Sequence, residues 1–195
     1  MIIGTSDIFA IESSILEAYD SPGQMALGFL VFYVGGRRYG YRKPDSTLIG
    51  PSFNGMHRKI VDRGSHKSPF PSDADAAQIA TAISRANSLD DMDDLLLYGV
   101  PWLQIFRILH SNGCILAPDS EQGFDDGSYV LHFDDGPLER LIAFQVGADY
   151  RVVEGSLRDV RLQQYDFYGI LTEWQMRFKE EWGSTPKAGG SIPEA

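Results

Sequence analysis

The sequence predicts an α+β fold, a mainly antiparallel sheet with two or three packing helices, including an amphipathic C-terminal helix. Two glycine turns, Gly35-Gly36 and Asp135-Gly136, each join strand-like segments that are neighbours in the chain, as in β-hairpins. The helical patterns are grouped in the middle and at the end of the chain instead of alternating with the strands. This grouping is typical of α+β rather than α/β proteins.

The first predicted strands precede any helical pattern. Residues 8–19 are rich in Ile, Phe, Ala and Ser and end at a turn signal, Asp20-Ser21-Pro22-Gly23. Residues 25–34 are apolar almost throughout, so this strand is expected to lie centrally, covered on both faces. After the diglycine turn, residues 37–42 are the expected returning strand.

Two helices are predicted next. Residues 51–61 place Phe53, Met56 and Ile60 at helical spacing, with Ser52 as a possible cap. An alanine-rich helix follows in residues 73–87, with Ser72 as its N-cap. The acidic residues 89–100 are interpreted as a loop or a single turn. Residues 102–110 fit both a helix and a strand, and we favour the strand.

The second half contains the clearest β pattern, two copies of Phe-Asp-Asp-Gly nine residues apart. Between them, residues 128–133 alternate, with Tyr129, Leu131 and Phe133 on one face. Residues 139–146 should pair with this strand, and a turn then leads into residues 150–154. Residues 163–182 form the closing amphipathic helix, which Trp174 and Trp182 would anchor to the sheet.

The chain of 195 residues is interpreted as a single domain, residues 1–182, followed by a flexible tail, residues 183–195. Its one cysteine, Cys114, cannot form an intramolecular disulfide, which favours a reducing compartment such as the cytoplasm. The N-terminus lacks the basic run of a signal peptide, and residues 25–34 are about half a membrane span. We therefore expect neither export nor membrane insertion.

The net charge of −10 comes from the middle third of the chain. Residues 71–136 hold two basic and twelve acidic side chains, whereas the flanking thirds are close to balance. Such a surface disfavours direct binding to nucleic acid or anionic lipid and favours a basic partner.

No catalytic or metal-binding motif stands out from the sequence. The four histidines lack metal-ligand spacing, there is no phosphate-binding glycine loop, and Cys114 lies among apolar residues as a buried cysteine would. Helix ends, turns and a solvated face account for the acidic clusters. An enzyme remains the rival class, a metal-dependent hydrolase using Asp119, Glu121, Asp125 and Asp126 around Mg²⁺ or Ca²⁺. A general acidic protein-interaction module is the third interpretation.

Several segments together resemble the immunity protein 42 family of bacterial polymorphic toxin systems. In the first half they are IIGTSDIFAIES, LGFLVFYVGGRRYG and TLIG; in the second half they are IFRILHSNGCILAP, FDDGSYVLHF, ERLIAFQ and the helix around Trp174. These are strand and turn patterns rather than catalytic signatures. The resemblance covers roughly residues 1–182.

The resemblance implies a cytoplasmic antitoxin that binds the C-terminal domain of a toxin encoded beside it, with no cofactor and no catalytic residues. An acidic inhibitor could cover the basic substrate surface of a nuclease toxin. The candidate toxin-binding residues are the acids Asp90, Asp91, Asp93, Asp94, Glu121, Asp125 and Asp126, with Tyr98, Trp102 and Tyr129 as aromatic anchors. Alternatively, these acids form a solvated face that confers solubility.

Overall fold

A computed structural model describes residues 1–86, 96–118 and 122–188 of the chain. Within these residues it contains two antiparallel sheets, a two-stranded ribbon and four α-helices. This architecture confirms the α+β prediction, with four helices where two or three were expected.

The first sheet is built from the N-terminal quarter of the chain. Its strands are β1 (Ile2–Thr5), β2 (Phe9–Ala18), β3 (Ala26–Val34), β4 (Arg37–Tyr39) and β5 (Thr47–Leu48). They are ordered β1-β2-β3-β4, with β5 also paired to β3. The apolar strand β3 is therefore central, as predicted. The Gly35-Gly36 turn also forms, with φ values of 55° and 79° that suit glycine.

The remaining strands come from the second half of the chain. A short ribbon contains β6 (Leu96–Leu97) and β7 (Val100–Pro101). The second sheet contains β8 (Ile115–Ala117), β9 (Ser128–Asp135), β10 (Leu138–Gln145) and β11 (Arg158–Gln163), in the order β11-β10-β9-β8. The predicted β9–β10 hairpin forms.

The four helices are α1 (Ile49–Val61), α2 (Ala76–Ala86), α3 (Trp102–Ser111) and α4 (Gln164–Ser184). Neither predicted serine cap is found. Ser52 lies buried inside α1, which begins three residues earlier. At α2 the Asp75 carboxylate accepts the Ala77 N–H at 3.0 Å, while the Ser72 carbonyl accepts hydrogen bonds from Arg140 and Arg161.

The strand prediction for residues 102–110 is wrong, because this segment is the helix α3. Its buried side chains are Trp102, Ile105 and Leu109, while Leu103 and Phe106 are exposed. The three- and four-residue spacing fits the single apolar face of a helix lying on the core. Because the same segment also fits the apolar–polar alternation of a strand, its sequence pattern alone could not exclude a helix.

Other strand boundaries differ from the prediction. The returning strand ends at Tyr39 instead of residue 42, because Gly40 leaves the extended region with φ 102°. Residues 150–154 contribute one bridge, Val146 to Val152, and the last strand of the sheet is β11. Strands β1, β5, β6, β7 and β8 were not predicted, and β6 and β7 lie within and at the end of the segment that was expected to be a loop or a single turn. Each has four residues or fewer, too short to show a period.

Two hydrophobic cores meet at the β9–β10 hairpin. Val130, Leu141 and Ala143 pack with the first sheet, α1 and α4. Leu131 and Phe133, on the other face, pack with α2 and α3. The hairpin is therefore buried on both faces, and alternate residues of β9 point into different cores.

The C-terminal helix α4 contacts α1 and strands from both sheets. Both predicted tryptophan anchors form: the Trp174 indole N–H donates to Ser13 Oγ at 3.0 Å, and that of Trp182 to the Tyr19 carbonyl at 2.9 Å. After the helix, the Ala188 N–H donates to the Ala18 carbonyl.

Residues 189–195 of the predicted tail lie outside the described residues, and the single-domain assignment stays a prediction. No described helix is long and apolar enough to cross a membrane.

Replacing Trp174 tests the role of α4 in the first core. The ring is fully buried and stacks on Phe178 at 5.3 Å, so Trp174→Ala should lower the free energy of unfolding by about 3–5 kcal/mol. Tyr165 on the same helix is 72% exposed, so Tyr165→Ala should change it by less than about 0.5 kcal/mol. Urea unfolding measures both; equal effects would contradict the packing.

Candidate functional site

Six polar side chains form a cluster in the interior, between the β9–β10 hairpin and the helices α1 and α4. This buried cluster contains Lys59, His66, His132, Asp134, Glu139 and Tyr168, none more than 7% exposed. Lys59 comes from α1, His132 and Asp134 from β9, Glu139 from β10 and Tyr168 from α4. His66 lies in the loop after α1. Buried polar groups in such number need partners, because an unpaired one destabilises the fold.

The β9–β10 pairing brings the acidic members together. Glu139 lies directly opposite Asp134 in the hairpin register, and His132 lies two residues before Asp134, on the same face of β9. His132 Nε2 is 2.7 Å from Glu139 Oε2. The imidazole also stacks on the Phe167 ring, with centroids 4.1 Å apart. The ring is therefore fixed in position by both contacts.

Asp134 connects the hairpin to the surrounding elements. Its Oδ2 accepts the His66 backbone N–H at 2.7 Å, and its Oδ1 accepts the Tyr168 hydroxyl at 3.0 Å. The His66 ring nitrogens lie 2.7 Å from the Asn112 carbonyl oxygen and 3.1 Å from that of Lys59. Both carboxylate oxygens of Asp134 are thus satisfied within the protein.

Lys59 provides the positive charge of the buried cluster. Its ammonium donates to the Gly113 carbonyl and lies 3.3 Å from His132 Nδ1. No carboxylate of the described residues is within ion-pair distance of it. Burial lowers the pKa of Lys59 to about 8. Because Nδ1 of His132 faces this donor, its proton is placed on Nε2, facing Glu139.

Burial raises the pKa of Glu139 to about 8, and the neighbouring Asp134 charge adds to this effect. Burial also lowers the pKa of His132 well below its ordinary value. Near neutral pH, Glu139 is therefore protonated and His132 is neutral. The proton on the Glu139 carboxyl avoids placing a second negative charge beside that of Asp134 in the interior.

His132, Asp134 and Glu139 also offer donor atoms within 4.8 Å of one another, a grouping that could hold a metal ion. The histidine spacing gave no sign of it, because the residues meet through strand pairing. However, His132 and Glu139 already bind each other, Asp134 accepts hydrogen bonds from His66 and Tyr168, and the Lys59 ammonium lies against the same imidazole. The arrangement favours a network of shared protons over a cation site.

Five of the predicted toxin-binding residues cannot be placed. Asp90, Asp91, Asp93, Asp94 and Glu121 lie outside the described residues, as does Asp119 of the rival hydrolase site. Their assignment as toxin-binding residues stays a prediction.

The other two predicted acids lie in the turn before β9. Asp125 is exposed. Asp126 accepts the backbone N–H groups of Gly40 and Ser128, at 3.2 and 3.1 Å, and the side-chain amide of Gln145 at 3.2 Å. The oxygens of Asp126 therefore stabilise the contact between the two sheets.

The three predicted aromatic anchors differ in exposure. Tyr98 is 39% exposed, and its hydroxyl accepts the Asp75 N–H at 2.8 Å. Tyr129 is half-buried and stacks on Phe144 at 5.2 Å. Trp102 is 3% exposed in the second core, so its ring does not reach the surface as an anchor would.

The outer face of α3, with the hairpin before it, carries exposed apolar side chains, of which sequence reasoning selected Tyr98 but not the others. We define this α3 surface as Leu96, Tyr98, Leu103 and Phe106, which are 38–60% exposed. The Phe106 ring packs on His110, one turn along the helix, with centroids 4.2 Å apart. The helical spacing of residues 102–110 was the available signal, but the strand interpretation concealed it.

The protonated state of Glu139 predicts a pH effect on stability. A carboxyl whose pKa is raised on folding contributes stability that is lost as pH rises from its ordinary value, 4.5, through about 8. Glu139→Gln has the shape of the protonated carboxyl but does not titrate. As the pH rises from 6.5 to 8, the free energy of unfolding of the wild type should therefore fall relative to that of this variant. Urea unfolding at both values measures the difference. The exposed Glu154→Gln is the control, and parallel curves for Glu139→Gln would contradict the protonated carboxyl.

Comparison with known proteins agrees with this fold. No curated protein sequence matches the chain. The crystal structure of CdiI from Burkholderia dolosa AUO158 superposes with a TM-score of 0.55 at 15% identity, covering 91% of this chain and 99% of that one. At this identity the likeness shows the fold alone. The family model for immunity protein 42, however, matches residues 1–177. The chain therefore belongs to the immunity protein 42 family, whose function is to neutralise a cognate toxin.

Proposed function

We propose that this immunity protein acts by binding alone: in the cytoplasm, it covers the C-terminal toxin domain through the α3 surface and the acids predicted from the middle third of the chain. No cofactor and no metal takes part. The observation that carries the proposal is the exposed apolar face of α3, in the most acidic third of the chain.

The burial of the titratable groups supports inhibition without catalysis. Lys59, His132 and Glu139 have the shifted pKa values found at many active sites. Yet His132 and Glu139 are fully buried, and Lys59 is 5% exposed. A substrate could not reach the reactive atoms of His132 and Glu139 without unfolding the hairpin. His132 and Glu139 are therefore assigned a structural role.

The α3 surface has the composition expected at the centre of an interface. Phe106 is 44% exposed and Leu103 38% exposed, although the opposite face of the helix lies in the core. Neighbouring exposed apolar side chains on a monomer are typical of partner-binding sites, and aromatic side chains contribute much of the binding energy there.

The charge distribution supports a basic partner. Residues 71–136 have a net charge of −10 and include α3. A nuclease toxin needs a basic surface to hold nucleic acid, and an acidic inhibitor would both accelerate encounter with that surface and exclude the substrate. We therefore propose a basic nuclease as the toxin.

Truncating the α3 surface should weaken toxin binding. Leu103→Ala with Phe106→Ala removes two exposed side chains that make little contribution to the core. We expect a loss of about 2–4 kcal/mol in affinity, measured by calorimetry with the toxin domain encoded in the neighbouring gene, and loss of survival on co-expression. Met176→Ala on α4, 57% exposed, is the matched control. An unchanged affinity of the double variant would remove α3 from the interface.

Reversing two acids should slow association. Asp93→Lys with Asp94→Lys removes negative charge from the predicted steering region, so the association rate should fall at least threefold and its salt dependence should flatten. Glu154→Lys with Glu180→Lys makes the same change in net charge at exposed positions elsewhere. Stopped-flow measurements at two salt concentrations compare them. Equal effects of the two pairs would show that overall charge, and not this segment, steers binding.

A further inference from the structure

A groove of about 490 Å³ lies between α1, the C-terminal end of α3 and β8. On the α1 side its wall includes Ser52, Gly55 and Arg58, spaced three residues apart along one helix face. On the α3 side it includes His110 and the residues that follow it. We call it the α1–α3 groove.

The charge of this groove is opposite to that of the protein. Among the described residues, its lining contains the cations Arg58 and Lys59 and the histidines His66 and His110, against one acid, Asp62. Arg58 is exposed and forms no ion pair within the described residues. A patch of positive charge in a chain of net charge −10 is suited to an anionic group.

Lys59 adds a buried donor to the groove lining. An ammonium has three N–H donors, and that of Lys59 has two partners in the structure, the Gly113 carbonyl and His132 Nδ1. The residue is 5% exposed and has no carboxylate at ion-pair distance within the described residues. A buried cation with an unused donor is stabilised by an incoming anion.

Gly55 keeps the groove open. Apart from its own helix backbone and chain neighbours, no atom of the described residues lies within 4 Å of the position that a Cβ on Gly55 would occupy, so a larger residue there would extend into free space. Helix α1 is stable without this side chain, although glycine is unfavourable in a helix interior by about 1 kcal/mol relative to alanine.

The groove is continuous with the α3 surface. His110 lines the groove, and its ring packs on that of Phe106 in the α3 surface. Both residues belong to α3, so the groove and the α3 surface meet along this helix. A toxin seated on Phe106 would therefore reach the rim of the groove with a neighbouring side chain.

We propose that the α1–α3 groove receives an Asp or Glu side chain of the toxin domain, which pairs with Arg58 and the Lys59 ammonium. This inference rests on the proposed function. The acidic surface attracts a basic toxin in many orientations, whereas one acidic side chain entering a cationic groove selects a single register.

Filling the groove tests its occupancy. Gly55→Leu places a side chain in the free space and should weaken binding of the toxin domain at least tenfold, with an unchanged or higher melting temperature. Gly169→Leu on α4 is the matched control, because Gly169 is also helical with no atom within 4 Å of its Cβ position. It should bind like the wild type.

Changing the charge tests the ligand chemistry. Arg58→Gln should weaken binding at least fivefold, and Arg58→Lys should retain part of it. Each toxin Asp and Glu is then replaced by Asn or Gln and combined with Arg58→Gln. One toxin carboxyl should show a non-additive effect, since either change already removes the same ion pair.

The outcomes separate the two proposals. If Gly55→Leu and Arg58→Gln bind like the wild type while Leu103→Ala with Phe106→Ala does not, the groove is empty and the α3 interface stands. If Gly55→Leu weakens binding but no toxin carboxyl couples to Arg58, the acidic ligand is wrong. If the wild type does not bind its verified toxin, the proposed function fails.

Discussion

The fold depends on one constraint, that the β9–β10 hairpin must be covered on both faces. One face packs against the first sheet, α1 and α4, and the other packs against α2 and α3. No single helix or sheet can cover both. The two halves of the chain therefore fold around the hairpin, and α4 contacts both sheets.

The same constraint explains the buried cluster. His132, Asp134 and Glu139 stand on the face of the hairpin that α1 and α4 cover, so their polar atoms lose contact with water. Lys59 and Tyr168 supply partners from those two helices. A network of this kind is costly where its polar atoms lack partners, so forming it requires each helix to dock in one position. Within the described residues, Glu139 Oε1 is the one atom of the cluster without a hydrogen-bond partner. Apart from the proposed pairing of Lys59 with a toxin carboxylate, the contribution of the cluster to function is indirect, because it fixes α1 against the segment that follows α3.

The proposed toxin-binding surface lies elsewhere, on α3. A binding protein needs exposed side chains held on a rigid support, and α3 satisfies this requirement because Trp102, Ile105 and Leu109 fix its inner face in the core. The α1–α3 groove depends on the same rigidity. The buried cluster and the proposed recognition surface are thus two consequences of packing helices on one central hairpin.

Local turn chemistry, short periods and composition were enough to predict the hairpins at Gly35-Gly36 and Asp135-Gly136, the helices α1, α2 and α4 and the acidic middle third. The family came from the resemblance of several segments taken together. Packing on the core settled that residues 102–110 are helix rather than strand, since an isolated apolar run satisfies both periods. It also decided that His66 and His132 are neighbours, with ring centroids 5.1 Å apart. Such contacts between distant residues depend on strand register and helix docking, which no local pattern encodes.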